Sequence, residues 1–329
     1  MKKIIIDIYG ADAGIEPVVL GVAKAIKEKI DFFPVLVGDE KEIDALLKKE
    51  GIEKEQYEVI DTDKFISNSE PPTVIFGGRD DSSLALAYEK LKADEDAIAL
   101  LSPGNTGAVL VGSICRLGLL KGLKFPALAS ALPCNGEGKP LVCLVDCGAN
   151  IDPTADDLAR FAKMGSVFAE SYIGVEKARV GLMSVGREEG KGNALTKEAF
   201  SKIKELSLNF VGNLEGSDLV SGYADVVVCD GFAGNLLLKC TEAAGKKALE
   251  VIEELGLNLS EENLSKIKNA IFKTFDFNSQ GGATFLGPRK IVVKMHGCAN
   301  IDTTVSSIEQ ILRLDRANFC ENMKRTMEI

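Results

Sequence analysis

Tryptophan is absent from this 329-residue chain, and aromatic residues make up only 6% of it. With hydrophobic content at 46%, the core is therefore mostly aliphatic. There is a single histidine, His296. One imidazole excludes a histidine-rich metal centre, and a triad is available only if His296 is its base. None of the eight cysteines forms a C-x-x-C pair, and most lie inside apolar runs, as buried free thiols do. Cys143 and Cys147 are four apart, but a strand running into a turn gives no metal geometry. We expect neither a disulfide framework nor a bound metal, and a cytoplasmic location by default. No apolar run approaches the length that spans a bilayer. Met1-Lys2-Lys3 opens like a secretion signal, but Asp7 interrupts the apolar stretch, which predicts a first strand instead. The net charge of −10 argues against nucleic acid as a partner, while leaving room for a local cationic pocket. G-x-S-x-G and H-E-x-x-H are missing. Gly190-Lys191-Gly192-Asn193 resembles the end of a phosphate loop without its hydroxyl after lysine.

Short Ile/Val-rich runs alternate with longer amphipathic stretches. Strands are expected at 3–7, 33–37, 57–60, 97–101, 127–132, 141–145, 179–184, 209–211, 224–229 and 291–294. Helices are expected at 16–29, 39–50, 81–93, 106–117, 154–172, 194–206, 235–255, 261–275 and 302–323. Such alternation predicts an α/β fold with a mainly parallel sheet and helices on both faces. No linker-like tract divides it, so 1–329 reads as a single α/β domain. The one departure is 235–275, two consecutive helices with no strand between, joined by Gly256-Leu257-Asn258-Leu259-Ser260. Leu249, Ile252, Leu255, Ile267, Ile271 and Phe272 recur there at near-helical spacing. This reads as a helical hairpin insertion serving dimerisation.

A glycine–asparagine turn recurs where strands should hand over to helices. It appears in Gly104-Asn105-Thr106-Gly107, Gly148-Ala149-Asn150, Gly192-Asn193, Gly212-Asn213-Leu214-Glu215, Asp230-Gly231 through Asn235, and His296 through Asn300. Glycine admits close backbone approach, and asparagine offers a neutral donor and acceptor. Helix N-termini add unpaired N–H groups and partial positive charge. Aligned along one sheet edge, such turns suit a small anion, with phosphate the leading candidate. If phosphate is itself the nucleophile, no side-chain nucleophile is needed. The protein has only to bind it, position an electrophile and stabilise a developing oxyanion.

The ordered motifs resemble the PlsX family, the phosphate acyltransferases of bacterial phospholipid synthesis. They are Asp81-Ser82-Ser83, Gly104 through Ala108, Leu144 through Asn150, Phe161 through Gly165, Glu188 through Asn193, Phe210 through Gly216, Ala224 through Asn235, Gly281-Gly282-Ala283 and Val293 through Gly297. The resemblance implies an isocitrate/isopropylmalate dehydrogenase-like fold and a homodimer. It implies transfer of a fatty acyl group from acyl-carrier protein to inorganic phosphate, giving acyl phosphate for phospholipid synthesis, with peripheral membrane association. No cofactor is implied. The other readings are a phosphate acetyl- or butyryltransferase using acyl-CoA, and a catalytically silent paralogue that binds acyl-carrier protein. Candidate catalytic residues are Lys191, which would hold phosphate or oxyanion, with His296 and Asn235. Candidate binding residues are Asp12, Gly104, Asn105, Thr106, Asn150, Asn193, Asn213, Glu215, Asp230 and Gly231. Asp80 and Ser217 stand where the family pattern is more basic, so an acidic carrier protein should be drawn in less strongly.

Overall fold

Runs such as Ile4-Ile5-Ile6 are apolar on both faces, and strands of that kind must be covered on both sides. The computed structural model describes residues 2–136, 139–255, 260–275 and 280–328. In chain order its first elements are β1 (Lys3–Asp7), α1 (Glu16–Lys27), β2 (Phe33–Gly38), α2 (Glu40–Lys49), β3 (Glu58–Asp61), α3 (Ser83–Ala93), β4 (Ala97–Ser102) and α4 (Thr106–Gly112). Then come β5 (Ala127–Gly136), β6 (Lys139–Val145), α5 (Ala155–Phe168), β7 (Arg179–Met183), α6 (Ala194–Lys204), β8 (Asn209–Leu214) and β9 (Val226–Val228). The last are α7 (Gly231–Glu254), α8 (Glu261–Phe275), β10 (Ala283–Leu286), β11 (Ile291–Lys294), α9 (Ile301–Arg316) and α10 (Phe319–Glu328).

These elements group into two compact units, Met1–Pro126 with Gln280–Ile329, and Ala127–Ser279. The first unit is discontinuous: its last strands and helices return after the second is complete. That is why no linker composition marks a boundary in the sequence. In the first unit the strand order is β3-β2-β1-β4-β11-β10, parallel except for β10 against β11. In the second it is β5-β6-β9-β7-β8, parallel except for β5 against β6. The sheets are thus mainly parallel, as the alternation predicts.

Most helix starts have a side-chain cap. Asp39, Ser82, Asn105, Thr154, Asn193, Asp230 and Asn300 each accept a backbone N–H from the first turn of their helix. This explains a large part of the glycine–asparagine pattern: several of its asparagines are N-caps. Three details differ from the sequence reading. β10 was not expected, because Ala283-Thr284-Phe285-Leu286 lacks the Ile/Val run that marks β9 and β11. The helix expected at 302–323 is two, α9 and α10, broken where Asn318 takes a left-handed φ of 53°. α7 begins at Gly231 rather than 235, because Asp230 caps it.

α7 and α8 follow one another with no strand between, as expected for 235–275. The connection at 256–259 and the side chain of Phe272 lie outside the described residues. Gly245 gives Phe275 room, since a β-carbon there would lie 2.4 Å from that of Phe275. Of α7, only Gly231, Gly234 and Gly245 are buried, while Phe232, Leu236 and Val251, and the C-cap residue Leu255, are exposed. Among the described residues no helix is long and apolar enough to cross a membrane.

Candidate active site

In an open parallel sheet, ligands bind beyond the carboxyl ends of the strands, where the strand order reverses. In the first unit that point lies between β1 and β4. Gly10, at φ 113°, packs so closely on the turn after β4 that a β-carbon would stand 2.5 Å from the Gly104 Cα. Beneath them Asp7 is buried. The Ser102 hydroxyl donates to its carboxylate at 2.7 Å, and the Gly104 N–H donates to Ser102 Oγ at 3.0 Å. The Lys294 ammonium, also buried, donates to the Pro103 carbonyl at 3.1 Å. Asp7, Ser102 and Lys294 thereby hold the Gly104 turn from below.

Burial pushes the Asp7 carboxyl up from 3.8 to about 6, against neighbouring hydroxyls, the Tyr9 N–H and the Lys294 charge. A folded-state pKa above the unfolded one means the folded state binds the proton more tightly. Stability is then greatest below about pH 4 for this group and declines as pH rises to about 6. Asp7→Asn removes that slope. The variant's stability relative to the parent should rise by about 2 kcal/mol between pH 4 and 6, read by urea denaturation at each pH. A constant difference across that window would refute it.

The remaining first-unit candidates occupy two turns. Asn105 caps α4 through its oxygen (Ala108 N–H, 3.0 Å), and its amide donates to the Asn68 carbonyl at 3.3 Å. Thr106 is exposed in the first turn of the same helix. Asp12 lies against the turn that carries His296. Its N–H donates to the Gly297 carbonyl at 2.7 Å, and a β-carbon on Gly297 would meet its carboxylate at 2.9 Å. His296 is half-buried, with the Cys298 sulfur 3.0 Å from its Nδ1.

In the second unit the adjacent strands β6 and β9 end in turns that interlock. Asp146 is buried and organises the first turn. Its carboxylate accepts the N–H groups of Leu128 (3.1 Å), Gly148 (3.0 Å), Ala149 (3.0 Å) and Asn150 (2.7 Å), and the Asn150 amide at 2.6 Å. Burial nevertheless raises its pKa, outweighing these donors. The Gly231 N–H donates to the Asn150 carbonyl at 2.7 Å, and Asp230 caps α7 through the Ala233 N–H at 2.7 Å. Gly234 is obligatory, since a β-carbon would fall 1.8 Å from the Asp146 carbonyl oxygen. Asn235 is exposed one turn into α7, its side chain beside Gly148. The structure therefore brings Asn150, Asp230, Gly231 and Asn235 together.

Lys191 stands on the turn between β7 and α6. Its N–H donates to the Glu188 carbonyl at 3.0 Å, and its stem lies along Gly186. Its side chain is exposed, and the ammonium meets no acid among the described residues. Asn193 caps α6 at 2.9 Å through its oxygen, which leaves its amide to donate outward. Asn213 is buried, and its amide donates to the Glu188 carbonyl at 2.9 Å. Its donor is thus spent on holding the Lys191 turn, and its Oδ1 has no partner among the described residues. Glu215 is exposed, with its N–H held by the Asp218 carboxylate at 2.8 Å.

The sequence candidates left out Asp7, Ser102, Lys294 and Asp146, although the last two lie within the motifs Val293 through Gly297 and Leu144 through Asn150. They also left out Arg187, whose guanidinium pairs with buried Asp218 and lies over the Tyr223 ring at 5.4 Å. Asp80 pairs with Arg116, so its charge is compensated locally. Among the described residues no group of His, Cys, Asp and Glu could hold a metal ion.

Solved structures of other proteins share this fold. A phosphotransacetylase structure from Streptococcus pyogenes superposes with a TM-score of 0.64 at 17% identity, over 95% of this chain and 94% of that one. A Salmonella typhimurium structure assigned as a 4-hydroxythreonine-4-phosphate dehydrogenase gives 0.52 at 14% identity, over 95% and 99%. These likenesses establish the fold class, mainly parallel α/β and dehydrogenase-like. The sequence identifies the family. Residues 2–322 match the family described as fatty acid synthesis protein. The phosphate acyltransferase of Bacillus cereus (strain G9842) is 37% identical over 334 residues, covering 99% of this chain and 98% of the relative. The chain belongs to this family and is an enzyme of the phosphate acyltransferase class.

Proposed function

We propose that the chain moves a fatty acyl group from acyl-carrier protein to inorganic phosphate. A phosphate oxygen attacks the thioester carbonyl carbon, the new C–O bond forms, and the C–S bond breaks to release the carrier thiolate. The observation that carries the reading is the carboxyl edge of the second unit. There Lys191, a cation without an acidic partner among the described residues, shares the edge with the exposed carboxamides of Asn193 and Asn235 and the start of α7. Donors of that kind hold an anion without becoming nucleophiles. In this reading Lys191 holds phosphate or the oxyanion, Asn193 and Asn235 donate to it, and Asn150, Asp230 and Gly231 shape the floor. Asn213 fixes the Lys191 turn. On the first unit, His296 serves proton transfer, Asp12 holds the His296 turn through the Gly297 carbonyl, and Thr106 is exposed at the start of α4. The enzyme works in the cytoplasm and meets the membrane peripherally, where its product is consumed.

Purified protein given acyl-carrier-protein thioester and phosphate should yield acyl phosphate, trapped as hydroxamate. Free fatty acid released without a phosphate requirement would sink the reading. Turnover of acyl-CoA alone would move the donor assignment to coenzyme A. Carrier binding with no turnover of either donor would leave a silent paralogue.

The exposed apolar positions of α7 support a homodimer through the helical hairpin. The chain should sediment as a dimer at micromolar concentration, and Val251→Lys with Leu255→Glu should shift it to monomer. A parent that sediments as a monomer, or a dimer indifferent to these changes, would remove the hairpin from the interface.

A further inference from the structure

The turn between β11 and α9 carries a thiol that the acyl transfer does not use. Cys298 is exposed, and its Sγ lies 3.0 Å from His296 Nδ1. The Cys298 backbone N–H donates to the same nitrogen at 3.3 Å. A backbone N–H can only donate, so Nδ1 is an acceptor and the neutral ring carries its proton on Nε2. The thiol is therefore the donor of the Sγ–Nδ1 contact and shares the Nδ1 lone pair with its own backbone N–H. A nucleophile and a base within hydrogen-bond reach, on an exposed turn, is the arrangement that makes a cysteine reactive.

The other cysteines supply the contrast. Cys143, Cys147 and Cys229 are buried, and burial pushes their thiols up, that of Cys147 to about 12. Burial raises Cys115 too, and takes Cys320 to about 12. Cys240 is exposed on α7, but the only histidine of the chain is already beside Cys298. Cys240 therefore reports what exposure does without an imidazole.

We propose that Cys298 is a thiol-modification site that forms mixed disulfides with low-molecular-weight disulfides, with His296 taking up its proton. The thiolate attacks one sulfur of the small disulfide. A new S–S bond forms to Cys298, the original S–S bond breaks, and the leaving thiolate takes the proton from His296. Cys298 is oxidised, and the released half of the disulfide is reduced. The turn has little freedom to move aside, because the Asp12 N–H bonds the Gly297 carbonyl and the Asp12 carboxylate fills the space a β-carbon on Gly297 would take. The added group therefore stays beside His296 and turnover stops, a consequence that rests on the assignment of His296 to the acyl transfer.

The test is peptide-mapping mass spectrometry of the full-length protein exposed to oxidised glutathione. Cys298 should be modified at least roughly tenfold faster than Cys240. His296→Gln should bring Cys298 close to the Cys240 rate and leave Cys240 unchanged. Cys143, Cys147 and Cys229 staying unmodified verifies that the variant is folded. Equal rates at the two exposed thiols would overturn the proposal, as would a Cys298 rate indifferent to His296→Gln. Cys298→Ala should keep its turnover and lose inhibition by oxidised glutathione, and dithiothreitol should restore the modified parent. Full modification of Cys298 with undiminished turnover would support the thiol chemistry and overturn instead the place of His296 in acyl transfer.

Discussion

Lys191→Met is expected to lower phosphate-dependent turnover by about 30- to 1,000-fold, the rate equivalent of about 2–4 kcal/mol of transition-state stabilisation. The side chain is exposed, its backbone is fixed by the Glu188 carbonyl, and the ammonium has no acid to neutralise it among the described residues. A cation held in that way on a strand-to-helix turn is available to an anionic ligand. The neighbouring cation, Arg187, is already committed to Asp218, so it is a poor substitute. Methionine keeps the stem that lies along Gly186 and removes only the charge. The loss should therefore fall on catalysis and phosphate affinity, while the unfolding midpoint stays close to the parent's. Near-normal turnover in Lys191→Met would mean that the lysine is merely a solvated surface residue.

Asp146→Ala should have the largest effect on stability, about 3–5 kcal/mol. The carboxylate is wholly buried and accepts the N–H groups that shape the turn from Gly148 to Asn150. Alanine leaves those donors and the Leu128 N–H without their acceptor in a dry site. Gly231 and Gly234 pack directly on this turn, so α7 should lose its seat as well. With no tryptophan to report unfolding, far-UV circular dichroism in urea is the suitable measurement. A midpoint within error of the parent would show that water replaces the carboxylate at little cost.

Much of the architecture was legible because it is local. Alternation of Ile/Val runs with amphipathic stretches gave the mainly parallel sheets, and β1, β4 and β9 lie where the runs predicted. The caps are equally local, since Thr154, Asn193 and Asn300 act on N–H groups only three residues away, but the sequence reading took Asn193 for a phosphate donor rather than a cap. β10 escaped notice because its neighbours in the sheet, not its own four residues, stabilise it.

The candidate site divides along the same line. The sequence by itself determined that donor-rich turns would follow the strands, that Lys191 would stand on one of them, and that one imidazole would have to serve. These follow from residue type and spacing. Only the tertiary structure decided which of those groups remain available. It spent the Asn105 amide on the Asn68 carbonyl, 37 residues away, and the Asn213 amide on the Glu188 carbonyl, 25 residues away. It buried Asp7 and Asp146 beneath the turns they hold, and joined Arg187 to an aspartate 31 residues away. Burial and hydrogen-bond pairing are properties of the packed chain, because whether a polar group is spent depends on neighbours that the sequence places far apart.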